Sequence, residues 1–169
     1  NAVFRFLERS HERVFPVVAV KCSETTPAGL FVRPLRIACM LFDRVADLPV
    51  VVDGVDLHQQ ERETTSDFAR TTTTVALSGA GETGKGEDVT YETELHHELA
   101  EAGLPDLTGE YTFAEFSTRV GELDLFPTPP EREDFRHYRR WGVESAALDL
   151  ALRQADTDLP SALDRTYDP

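Results

Sequence analysis

Hydrophobic and polar positions alternate first in "LPVVVDGVDLHQQE", Leu48 to Glu61. Here Val51, Val55 and Leu57 recur at even spacing on one face, as a half-buried strand requires. "RETTSDFA", Arg62 to Ala69, is polar with one aromatic and interrupts that pattern. A second strand is expected from Arg70, where "RTTTTVAL" is rich in β-branched residues suited to a pleated surface, with Val75 and Leu77 facing alike. A third runs from about Glu82 to Val89. Three sequential strands with short links predict an antiparallel meander.

The period then changes. Tyr91, Leu95, Leu99 and Ala102 fall at helical spacing, Thr90 can cap the first turn, and Glu92 and Glu94 suit its dipole. Gly103 and Pro105 end that helix. Thr112-Phe113-Ala114-Glu115 reads as a capping box, with Phe113, Phe116 and Val120 as the buried stripe behind it. Thr128-Pro129-Pro130 marks a stop, and from about Glu131 the chain is helical through Phe135 and Tyr138 to Ala155. Along that helix Gly142, Ser145, Ala146, Ala147 and Ala151 are small enough to let another element approach closely. The expected fold class is α+β, a three-stranded antiparallel meander followed by about three helices.

The turn after the second strand and the third strand itself fall in "SGAGETGKGEDVTY", Ser78 to Tyr91, which fits the opening of a phosphate loop and the G-x-G-x-x-G dinucleotide pattern. Gly86 stands where the Mg²⁺-binding hydroxyl should be, Glu87 and Asp88 follow at once, and no helix opens from the loop. The hairpin reading is preferred. In it Gly79 and Gly81 supply the positive φ angles of the turn, while Gly84 and Gly86 mark bends or close backbone approach.

Charge adds a boundary. The 169 residues carry a net charge of -14, which argues against nucleic acid or an anionic membrane surface as partner. No apolar run approaches the roughly 20 residues of a membrane span, and a cytoplasmic location is expected. Residues 1–39 hold a net charge of +3 and both cysteines, Cys22 and Cys39, whereas 40–169 carry 11 basic and 28 acidic residues, a net of -17. Three readings of 1–39 stay open: a signal peptide, a folded extension, and non-native or unstructured sequence upstream of a natural start at Met40. The composition break and the solitary methionine favour the last, so 40–169 is taken as the domain. Lys85 is its only lysine against ten arginines, a pattern that fits either a protein tuned to high salt or a preference for arginine codons.

Other constellations are weak. His97 and Glu101 lie at i,i+4 spacing but lack a third zinc ligand, and a solvated face is expected for His96-His97. Ser145 beside Glu144, with His137 two turns earlier, has no nucleophile elbow. "RHYRRW", Arg136 to Trp141, is expected to balance Glu131, Glu133 and Asp134 through i,i+3 and i,i+4 pairs.

Three strings, in order, resemble the N-terminal capping domain of the enolase superfamily, mandelate racemase/muconate-lactonizing branch. "GAGETGKGEDVTYE" looks like that family's turn, Gly-x-Gly-Glu and following helix. "ESAALDLALRQ" is similar to its Ala-rich helix, and "DLPSALDRTYDP" resembles the linker into its barrel. The resemblance covers about residues 49–169. It implies Mg²⁺-dependent abstraction of a proton α to a carboxylate by an isomerase or lyase, of racemase, cycloisomerase or dehydratase type. The base and the metal carboxylates of such an enzyme sit on a barrel of roughly 250 residues. No Lys-x-Lys pair occurs here, so this chain is expected to be catalytically silent, with no catalytic residue, metal ligand or cofactor of its own. Its implied partners are that barrel, a small carboxylate substrate reached through it, and further copies of itself by self-association. The resemblance also implies that the loop between the first two strands selects substrate, which makes Glu63, Thr64, Thr65, Ser66, Asp67, Phe68 and Arg70 the substrate-binding candidates. Arg70 would meet a carboxylate and Phe68 would close the pocket; the alternative is a solvated loop. A self-sufficient small α+β binding or interaction domain is the competing expectation for the whole chain.

Overall fold

The computed structural model describes residues 41–63 and 69–165. The division at residue 39, Cys22, Cys39 and Met40 lie outside the described residues. After a helical turn over 41–45 come the strands β1 (Pro49–Val52), β2 (Gly54–Glu63), β3 (Ala69–Gly79) and β4 (Glu82–Asp88). Then follow α1 (Thr93–Ala102), β5 (Gly109–Thr112), α2 (Phe113–Glu122), α3 (Asp134–Gln154) and a one-turn α4 (Leu159–Ala162). The fold is α+β, and β2, β3 and β4 form the expected antiparallel meander.

The first strand departs from expectation. The chain breaks at Asp53, and β1 leaves the meander to pair with β5, Val50 opposite Tyr111 and Val52 opposite Gly109. Val50 and Val52 enter the core, whereas Val51 is half-buried, so the parity read from the sequence is off by one in β1. Gln154 at the end of α3 joins the two sheets: its amide donates to the carbonyls of Val51 (2.8 Å) and Gly79 (3.0 Å) and accepts from the Val51 N–H (2.9 Å).

The glycines divide by task. A two-residue turn, Ala80 (φ 50°) and Gly81 (φ 85°), closes the β3–β4 hairpin, Gly79 facing Glu82. Gly79 is therefore not a turn glycine: a Cβ there would lie 1.9 Å from the Val51 carbonyl oxygen, where the β1 backbone crosses. Gly84 and Gly86 face α3, and a Cβ at either would strike helix backbone, 2.2 Å from the Leu150 nitrogen and 2.0 Å from the Gly142 carbonyl oxygen. With Gly142 and Ala146 on the helix side, backbone packs on backbone. These are the small residues that marked α3 as a close-packing helix.

One face of the meander carries Val75 and Leu77, buried beneath α1 and α3 with Leu95, Leu99, Phe135, Val143, Ala147 and Leu150. The α2 helix begins at the expected capping box, Thr112 Oγ1 accepting from the Glu115 N–H (3.2 Å) and Glu115 accepting from the Thr112 N–H (2.8 Å). Its Phe113, Phe116 and Val120 are all buried. Thr90 does not cap α1, whose N-cap is Glu92.

Candidate functional site

The strands of the meander end unequally. β4 stops at Asp88, opposite Thr73, but β2 and β3 stay paired for four further rungs, from Gln60–Thr72 to Glu63–Ala69. Four residues at about 3.3 Å make a two-stranded ribbon that runs about 13 Å past β4. Among the substrate-binding candidates, Glu63 is the exposed last residue of β2 and Arg70 is half-buried on β3. Thr64, Thr65, Ser66, Asp67 and Phe68 lie outside the described residues.

Arg70 is held from the side. Its guanidinium carbon sits 4.7 Å from the ring centroid of Tyr91, a cation–π contact, and Tyr91 is half-exposed. Tyr91 thus belongs to the surface where the chain leaves β4, not to the buried stripe of α1 as its spacing implied. Nearby at the start of α3, Arg132 donates two hydrogen bonds to Asp134 (3.1 and 2.6 Å). That contact holds the Asp134 carboxyl below its ordinary range. Burial, helped by the Asp134 charge, raises the Tyr138 hydroxyl above its usual value.

Behind this surface lies a buried polar cluster that the sequence reading missed. Asp88 accepts from the Thr90 N–H (3.0 Å) and hydroxyl (2.6 Å) through one carboxylate oxygen, and from Arg139 Nε (2.7 Å) through the other. The other nitrogens of Arg139 donate to the carbonyls of Leu125 (3.1 Å) and Leu95 (2.9 Å), and its guanidinium stacks 3.8 Å over Phe126. Arg139 is therefore no surface counter-charge: it ties β4 to α1 and to the 125–126 segment. Burial pulls its pKa below the ordinary arginine value while Asp88 opposes that shift; a guanidinium so far above neutrality stays charged.

His96 is also buried, contrary to the solvated face expected for it, whereas His97 is exposed. His96 Nε2 lies 2.9 Å from the Thr90 carbonyl, which can only accept, so Nε2 carries a proton; in the neutral ring Nδ1 then accepts from Thr73 Oγ1 at 2.8 Å. A signal for both residues was present in the sequence. Arg139 falls midway between Phe135 and Val143 at four-residue spacing, and His96 sits beside Leu95 and three before Leu99.

Elsewhere Glu144 bonds Ser117 (2.6 Å) and Arg140 (3.0 Å), so the pairing of Ser145 with Glu144 and His137 is not formed. Arg136 meets Glu133 at i,i+3 as expected and also Asp124 (2.7 Å). Among the described residues no three His, Cys, Asp or Glu side chains group as a metal site would require. No helix among them is long and apolar enough to cross a membrane.

These features define an α+β domain with a projecting β-ribbon and a glycine-lined seat for one long helix. The family model of the domain of unknown function DUF8230, N-terminal domain, matches residues 43–162, and the chain belongs to that family. No curated protein and no solved structure shows a significant match to the chain.

Proposed function

We propose that this chain is the capping domain of an enolase-superfamily enzyme, selecting a small carboxylate substrate for a (β/α) barrel that supplies the chemistry. The observation that carries the reading is the β2–β3 ribbon: its paired strands run past the end of β4, with Arg70 near the ribbon's end. Two further features support it. The order of meander, helices and a long alanine-rich α3 seated on Gly84 and Gly86 is the order the resemblance implies. The matched family model describes an N-terminal domain, the position a cap occupies ahead of its barrel. In this reading Arg70, oriented by Tyr91, offers N–H donors to a carboxylate. Proton abstraction, and the Mg²⁺ that stabilises the enediolate, belong in this reading to the barrel, as the resemblance implies.

The test is exchange of the α-proton into D₂O with Mg²⁺ across a panel of small carboxylates, followed by proton NMR. A protein that joins this domain to the proposed barrel should exchange at least one of them and the 169-residue chain none. Exchange by the 169-residue chain alone, or by neither protein, would sink the proposal.

A self-sufficient α+β binding domain is the second reading. It draws support from α3, whose Phe135, Val143, Ala146, Ala147, Leu150 and Ala151 are covered by the chain's own elements. Against that, Trp141 on the same helix is 47% exposed, and Leu159 of α4 is exposed as well. Hydrogen exchange separates the two readings: a self-sufficient domain protects α3 in isolation as strongly as when joined to a barrel.

A further inference from the structure

The ribbon places two arginines face to face. Arg62 on β2 and Arg70 on β3 are direct cross-strand partners, so their side chains rise from the same face of the sheet. Like charges in that position repel, and in a chain of net charge -14 a counter-charge would be easy to supply. Among the described residues the strands do not supply it on this face. Glu61 and Glu63 flank Arg62 along β2 and therefore point to the opposite face. On the shared face the next rung is Gln60 with Thr72, both uncharged hydrogen-bonding side chains. The nearest strand carboxylate on that face is Glu87, opposite Thr74, about 13 Å further along the sheet. Neither arginine has a carboxylate partner within ion-pair distance among the described residues, whereas Arg44, Arg132, Arg136, Arg139, Arg140 and Arg153 each have one. The Arg70 guanidinium carbon lies 4.7 Å from the Tyr91 ring centroid, a cation–π contact that uses none of its N–H donors.

We propose that Arg62 and Arg70, with Gln60 and Thr72 beside them, form a binding site for a small doubly charged anion, a dicarboxylate or a phosphate. Two guanidinium forks on one face match two charged oxygen groups, and ligand charge offsets the repulsion between the two arginines. A monocarboxylate satisfies one fork only. The site lies on the strands and uses no residue of segment 64–68, and it is read on this chain alone. A null result would therefore remove the site and leave the capping reading to its own test.

The experiment is an NMR titration of the full chain with succinate, inorganic phosphate and acetate at matched low ionic strength, because chloride competes and screens. The readouts are the Arg62 and Arg70 Nε–H signals and the Tyr91 ring. Succinate or phosphate should give saturable shifts at these groups, and whichever binds more tightly identifies the source of the charge. Arg62→Gln should lose about tenfold in affinity and, without ligand, melt at a higher temperature than the parent. The variant Arg119→Gln, on α2, should bind as the parent does. The proposal falls if neither dianion saturates, if acetate binds as tightly as succinate, or if Arg62→Gln binds unchanged.

Discussion

Substituting alanine for Gly84 probes the seat of α3. The added Cβ would lie 2.2 Å from the Leu150 nitrogen and 2.3 Å from the Ala146 carbonyl oxygen, against a limit of 3.0 Å that real Cβ contacts respect. At least 0.8 Å must be made up. The obstructing atoms are helix backbone, so no side chain can swing aside and either α3 or β4 must move bodily. Overpacking of this kind costs about 3 kcal/mol. For a domain of this size that corresponds to a fall in Tm of roughly 10 °C. Gly81→Ala is the matched control: at φ +85° with nothing within 4 Å of the new Cβ, it meets only backbone strain of about 1 kcal/mol. Differential scanning calorimetry of the two variants separates packing from turn geometry. The reasoning is refuted if Gly84→Ala melts at or above Gly81→Ala. Mg²⁺-ATP should leave the parent's Tm unchanged, because these glycines seat a helix and close a hairpin.

Arg139→Met leaves Asp88 buried with its Thr90 bonds alone and should cost about 3–5 kcal/mol in urea denaturation. The double variant with Asp88→Leu should lose markedly less than the two single losses added together; strict additivity would contradict the pairing. Asp106, Glu115, Asp124, Asp134 and Asp158 all have pKa values lowered in the folded state, chiefly by hydrogen bonds from neighbouring backbone or side chains. Because folding depresses these values, the stability they contribute is present above the unfolded carboxyl range near pH 4 and is lost as pH falls below it. Urea midpoints should hold from pH 7 to 5 and drop by pH 3; a flat profile would contradict the assignment. With a net charge of -14, raising KCl from about 0.1 M to about 2 M should raise Tm by screening self-repulsion, and an unchanged Tm would leave the scarcity of lysine to codon preference.

The meander, the α2 capping box and the close-packing character of α3 were legible because each rests on local chemistry: β-branched alternation, a Thr-x-x-Glu box, small residues at helical spacing. Separation of β1 from β2 was not, since three consecutive valines at 50–52 hide which parity is buried. The strand that claims β1 is the four-residue β5, "GEYT", too short and polar to register. Arg139 and His96 were hidden by residue type, because both sit on the apolar stripes of their helices but belong to classes that usually face water. Their burial depends on Asp88, Thr73 and Thr90 arriving from other elements. At the candidate site Arg70 was named through the resemblance alone, and its opposition to Arg62 required the hairpin register, as its contact with Tyr91 required the path of the chain beyond β4.

The capping assignment is tested most directly by reading the source DNA for about 800 bases past the Pro169 codon in all three forward frames, the span a barrel of roughly 250 residues needs. The account predicts a barrel with a Lys-x-Lys strand and spaced Asp/Glu metal ligands. A downstream sequence with nothing barrel-like in any frame would contradict it and leave the self-sufficient binding domain as the reading to pursue.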